Sequence, residues 1–193
     1  MALPFTEQQR SAIRQKLFES AQRHALSDGV QRTSLDTLTS EAGISKSSFY
    51  KFYDSKELLF LEVAARWEQQ VLQKAVETLS RSDLNSKERA AAMVLSCFEE
   101  IHRLGIARFL REDLPQLAAI IPGQEAKAHY LASSRSIFEA LCAAGIRFAA
   151  PDDVVLSVIQ VLYLSILNIQ DIGEAFFPAL RVLVQSACDK LVV

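Results

Sequence analysis

The run from Thr33 to Lys46, TSLDTLTSEAGISK, leaves its backbone few choices. Thr33 and Ser34 are both good N-cap residues, because a hydroxyl there can accept from the free N–H groups of a helix start. Leu35, Leu38 and Ala42 then fall on one helical face. Gly43 stands where a helix end favours a left-handed residue, and Ser45 caps a second short helix expected from Lys46 to about Phe52. Two short helices meeting at a glycine-containing turn make a helix-turn-helix. The second is too short to persist alone in water, so it makes sense as an element held by its neighbours and presented outward.

Helical periodicity continues along the chain. Thr6 with Gln9 reads as a capping box, and Ile13, Leu17, Phe18, Ala21 and Ala25 share a face, so a first helix should run to about Leu26. Asp54 or Ser55, with Glu57 close behind, opens a long helix through Trp67 towards Leu79. After a polar stretch at 80–86, helices are expected at 87–104, 106–119, 124–144, 152–171 and 175–192. Sustained two-residue alternation and hairpin turn pairs between β-branched runs are missing. The expected fold class is all-α. A three-helix helix-turn-helix domain at 1–54 is joined by a long helix to an all-helical second unit at 55–193. Half of the 193 residues are hydrophobic, enough for such a core.

Several functions lose support. The net charge is −2, with +1 on residues 1–60 and −3 on the remainder, a small asymmetry in the direction a DNA-binding end requires. Cys97, Cys142 and Cys188 form no CxxC pair and sit among apolar helical residues, so they read as buried, inert thiols. His24, His102 and His129 lack metal-ligand spacing. Glu99-Glu100 and Asp152-Asp153 are adjacent on helices and point apart. Nucleophile-elbow and glycine-rich phosphate loops are absent. The expectation is a protein without metal, cofactor or catalysis. The N-terminus carries no secretory pattern, so a cytoplasmic location is expected.

The second helix of the motif would present a specific set of groups. Phe49, five residues after inward-looking Ile44, should point to the first helix, leaving Lys46, Ser47, Ser48, Tyr50 and Lys51 outward. Lysine and hydroxyl groups at a helix N-terminus suit phosphates and base edges. Lys56 opens the long helix, where a cation is unfavourable unless that end faces a phosphate. From Thr33-Ser34 through Ala42-Gly43-Ile44-Ser45 to Phe49-Tyr50 and Ser55-Lys56-Glu57-Leu58-Leu59, the segment closely resembles the N-terminal domain of TetR-family transcriptional regulators. Such domains read T-x-x-x-I-A-x-x-A-G-V-S-x-G-T-x-Y-x-x-F-x-S-K-E-x-L. Here Ser47-Ser48 replaces Gly-Thr, Leu38-Thr39 replaces Ile-Ala, and Tyr53 stands for Phe. The resemblance implies that Thr33, Ser34, Tyr50 and Lys56 contact backbone phosphates, and that Lys46, Ser47, Ser48 and Lys51 reach bases. It also implies a homodimer on near-palindromic double-stranded DNA and a small-molecule effector, most simply one that releases a repressor.

The run 154–169 has 12 apolar residues in 16, with Asp153, Ser157, Gln160, Asn168 and Asp171 along one narrow stripe. It is too short and too interrupted for a membrane span. It is also too apolar for the surface of a monomer, so one side should meet its own domain and another a second subunit. The last helix is nearly as apolar. Val155, Ile159, Leu162, Ile166, Leu180, Val184 and Leu191 are the candidate dimer residues. Trp67, Phe98, His102, Phe109, Tyr130 and Phe138 are candidates for lining a ligand cavity, although aromatics at helical spacing also make plain core. Two other readings stay open: a helical binding module whose helix-turn-helix is vestigial, and a small all-helical enzyme.

Overall fold

The computed structural model describes residues 5–120 and 125–193, with side chains at all of these except 125–133. Its helices are α1 (Glu7–Ser27), α2 (Leu35–Ala42), α3 (Lys46–Phe49), α4 (Lys56–Leu79), α5 (Ser86–Leu104), α6 (Leu114–Ile120), α7 (Glu125–Ala143), α8 (Asp152–Ile166), α9 (Ile169–Ile172) and α10 (Phe176–Leu191). Among the described residues the only extended pairing is an isolated bridge between Phe148 and Val192.

Local chemistry explains most boundaries. Thr6 and Gln9 close the expected capping box on α1. Ser34, Ser45 and Ser55 cap α2, α3 and α4, each hydroxyl accepting from the backbone N–H three residues on. Gly43, at φ +73°, ends α2 and makes the sharp entry to α3 possible. Three boundaries differ from expectation. α3 stops at Phe49, where the N–H groups of Lys51 and Phe52 bond back to Ser48 and Phe49 and tighten the chain. The stretch expected as one helix at 106–119 is interrupted near its start by a π-helical turn, Phe109–Asp113, in which the Leu114 N–H reaches the carbonyl of Phe109 five residues back. The helix expected at 152–171 breaks after Ile166 and resumes as α9. Pro178 stands in the opening turn of α10 as its third residue, where an N–H has no partner within the helix anyway.

α1 packs on α2 and α4, α4 lies along α5, and α5 carries α10 on its other side. The buried apolar side chains form one continuous core. Leu17, Leu38, Phe49 and Phe60 fill the N-terminal end, Val63 and Trp67 continue it along α4, and Met93, Phe98 and Ile166 fill the rest. The long α4 therefore contributes to both ends. No single helix among the described residues is long and apolar enough to cross a membrane; the apolar α8 meets the next helical stretch at a bend of 67°.

Candidate nucleic-acid interface and cavity

α3 is held by one buried side chain, Phe49, whose ring lies 5.8 Å from that of Tyr53 and 5.7 Å, edge-on, from that of Tyr50. With Phe49 inward, Lys46, Ser47, Tyr50 and Lys51 are exposed and Ser48 is half-buried. The Ser45 hydroxyl accepts from the Ser48 N–H at 3.2 Å and lies 3.0 Å from the Ser47 and Ser48 hydroxyls, which places three hydroxyls at the start of the helix. Lys46 pairs with Asp36 of α2 at 2.8 Å. Both groups are exposed, so the pair is weak and a phosphate can compete for the lysine. Two residues outside the sequence reading bracket Lys51. Arg10 donates to its carbonyl at 3.3 Å, and its ammonium stands 5.6 Å over the Phe5 ring. Their distance in sequence hid them.

Two residues of this set are placed differently from expectation. Thr33 is buried, and its hydroxyl donates to the Gly29 carbonyl at 2.7 Å, so the fold uses the group that was expected to meet a phosphate. Ser34, exposed, is the actual cap of α2. Lys56 donates from Nζ to the carbonyls of Val30 at 3.0 Å and Thr33 at 2.8 Å. A lysine at this helix start is therefore explained within the fold, because it ties the turn before α2 to the start of α4.

A polar cluster locks α1 to α2. Glu41 accepts from Ser20 at 2.6 Å and Arg23 at 2.8 Å, and His24 bridges Glu41 and Asp28 at 3.0 and 2.7 Å. The Ser20 hydroxyl, then His24, hold the Glu41 carboxyl down at about 2; Glu41 and Asp28 raise His24 above its ordinary 6.5. His24 therefore stabilises the folded state fully below 6.5 and stops doing so as pH rises through its raised value. Glu41 does so above its ordinary 4.5 and stops as pH falls towards about 2. The stability difference between the wild type and His24→Gln, followed by urea unfolding across pH, is expected to shrink at both ends of that window.

In the second unit a cavity of about 70 Å³ lies among α4, α5, α7, α8 and the segment 106–114. Trp67 and Phe98 line it, as the sequence suggested; so do Glu68, Cys97, Leu110 and Tyr163, which it did not single out. Phe109 is buried behind the wall, edge-on to Trp67 at 5.1 Å. His102 is exposed against Phe177, and Phe138 stacks on Phe148 at 5.6 Å, so neither lines the cavity. Tyr130 lies outside the residues whose side chains are described. Ligand sites usually measure roughly 300–1,000 Å³, so an ordinary ligand has to spread these walls. Burial pushes the Cys97 thiol up to about 12 and Cys188 to about 11. Cys142 is exposed, contrary to expectation, and its thiol too is raised, chiefly by desolvation and then by Asp152 and Glu139. Among the described residues no three His, Cys, Asp or Glu side chains are grouped to hold a metal.

The residues expected at a subunit interface turn out to face inward. Val155, Ile159, Leu162, Ile166, Leu180 and Val184 are buried in their own protomer, and Leu191 is half-buried. A helix apolar over more than half its circumference has two apolar sides, and periodicity does not say which one meets its own core. The other side is left open. Val154, Val161 and Leu164 on α8 and Val182 and Leu183 on α10 are exposed, with Val161 67% and Val182 63% accessible. Val154, Val158, Val161, Leu183 and Ala187 line one shallow groove across both helices.

Against this geometry, residues 17–63 match the family model described as bacterial regulatory proteins, tetR family. Those residues form a TetR-family domain. The match spans the C-terminal part of α1, the TetR-type helix-turn-helix and the start of α4. The whole chain has the fold of solved TetR-family regulators. One from Marinobacter aquaeolei superposes with a TM-score of 0.66 at 19% identity, covering 97% of this chain and 99% of that one. One from Haloarcula marismortui gives 0.65 at 12% identity, over 95% and 100%. PfmR from Thermus thermophilus gives 0.62 at 15% identity, over 91% and 98%. At these identities the likeness is one of fold, and the TetR-type sequence match covers residues 17–63. No curated protein matches the chain.

Proposed function

We propose that this protein is a homodimeric transcriptional regulator that reads near-palindromic DNA with α3 and is released, as a repressor, by a small molecule entering the cavity beside Trp67. The observation that carries the reading is the way α3 is mounted. A four-residue helix contributes a single buried ring, and its lysine, hydroxyl and tyrosine groups are left to solvent on a TetR-type scaffold. The exposed apolar residues of α8 and α10 support pairing with a second copy. Pairing would set two α3 helices in successive major grooves, roughly 34–36 Å apart or somewhat more.

Selection of bound duplexes from a random pool tests the whole reading. Enrichment of an inverted repeat is expected, with log affinity falling steeply against log salt as phosphate counterions are released. A pool that emerges unenriched at low salt refutes it. Within the selected site, Lys51→Ala and Ser48→Ala are expected to relax base preference at individual positions, each lost base contact being worth about 1–3 kcal/mol. Repeating the selection with each variant measures this directly, and unchanged preferences would move base reading to other side chains.

A further inference from the structure

The π turn Phe109–Asp113 is where the cavity wall and the N-terminal domain meet, and contacts leave it in four directions. Leu110 lines the cavity. Phe109 packs on Trp67, and Arg111 donates to the Leu167 carbonyl at the end of α8 at 3.2 Å. Asp113, through Oδ1, accepts the Val30 N–H at 3.0 Å in the turn that leads into α2. That last joint is buried and tight. Asp113 is 5% exposed, and its Oδ2 has no hydrogen-bond partner among the described residues, with Arg108 Nη1 at 3.7 Å. Arg108 donates to the Ala25 carbonyl at the end of α1 at 2.8 Å. Gly29 permits the close approach, because a Cβ there would stand 3.0 Å from Arg108 Nη1 and 3.2 Å from Asp113 Oδ2, at a φ of +84°.

Two of these features serve a fixed joint badly. A buried carboxylate that gives one oxygen to an amide and holds the other in an ion pair too long for a hydrogen bond is a costly way to hold that amide. A π turn holds one residue more than an α turn and occurs mostly as a single turn, often at functional sites. Both suit a joint with two positions. Relaxing the turn to α spacing would rotate the chain beyond it by roughly 100°, the angle of one residue in an α-helix. That is enough to carry the Asp113 carboxylate away from Val30.

We infer that this π turn is the regulatory joint of the cavity: spreading the walls displaces Leu110, the turn relaxes, Asp113 leaves the Val30 amide, and the turn at 28–33 is freed together with α2 and α3. The inference takes its purpose from the DNA-binding reading, but its test involves no DNA, so failure of one is distinguishable from failure of the other. Bulk placed in the cavity from the α7 side stands in for a ligand. In the full-length protein, Ile137→Phe is expected to raise hydrogen exchange at the Val30 amide at least tenfold, read by NMR, while the Ala90 and Met93 amides in α5 stay as protected as in the wild type. With Asp113→Ala present the Val30 amide already exchanges fast, and Ile137→Phe should add less than twofold. Equal increments in both backgrounds, or an unchanged Val30 amide in Ile137→Phe, overturn the joint. Should Asp113→Ala not fold, Asp113→Leu, which likewise offers the Val30 amide no acceptor, replaces it in the same cycle: an increment less than half that in the wild-type background supports the joint, and any larger one overturns it.

Discussion

Phe49→Ala is expected to destabilise the N-terminal domain by about 3–5 kcal/mol, the usual cost of removing a buried aromatic ring. The ring is fully buried and is the buried side chain of α3, so nothing else in that helix replaces the contacts it makes with Tyr50 and Tyr53. A four-residue helix has no stability of its own to offset the loss. Against a total folding stability of about 5–15 kcal/mol the effect is large. Urea unfolding followed by far-ultraviolet circular dichroism measures it. Fluorescence of Trp67, the sole tryptophan, reports the cavity end separately. A loss below about 1 kcal/mol would mean that α3 is held, and presented outward, by something other than this ring.

Val161→Asp together with Val182→Asp is expected to leave the protomer nearly as stable as before and to abolish its pairing. Both positions are mostly exposed in the protomer, where single surface substitutions usually stay within about 0.5 kcal/mol. In a symmetric interface each carboxylate appears twice and is buried without a partner, which costs several kcal/mol. At about 1.4 kcal/mol per tenfold, the dimer dissociation constant should rise a hundredfold or more. Sedimentation velocity at micromolar concentration should show single protomers, and affinity for a two-half-site duplex should fall with it. An undisturbed dimer would place the interface on another face.

The reading head was legible because its signals are local. A hydroxyl three residues before the N–H it accepts from, or a glycine where φ must be positive, can be recognised from neighbouring residues alone. Ser34, Gly43, Ser45 and Ser55 all took the cap positions they imply. Thr33 and Lys56 were legible as positions only. Their partners, the Gly29 carbonyl and the carbonyls of Val30 and Thr33, arrive by folding from 4 and from 26 and 23 residues away. The same holds for Lys51, bracketed by Phe5 and by Arg10, which is 41 residues distant. Composition marked α8 and α10 as having apolar surface to spare, but an apolar stripe carries no label for inside or outside. Periodicity therefore points to the inward set as readily as to the outward one.

By itself, then, the order of residues determined that the chain is helical, where most of its helices start, and that a TetR-type helix-turn-helix lies near its N-terminus, since caps and periodicity act within a turn or two of chain. Only the tertiary structure decided which apolar face each helix buries, how small the cavity is, and that a π turn joins its wall to the turn ahead of α2. Those depend on contacts between residues far apart in sequence, such as Val30 and Asp113, 83 positions apart, whose meeting is set by the packing of all the helices between them.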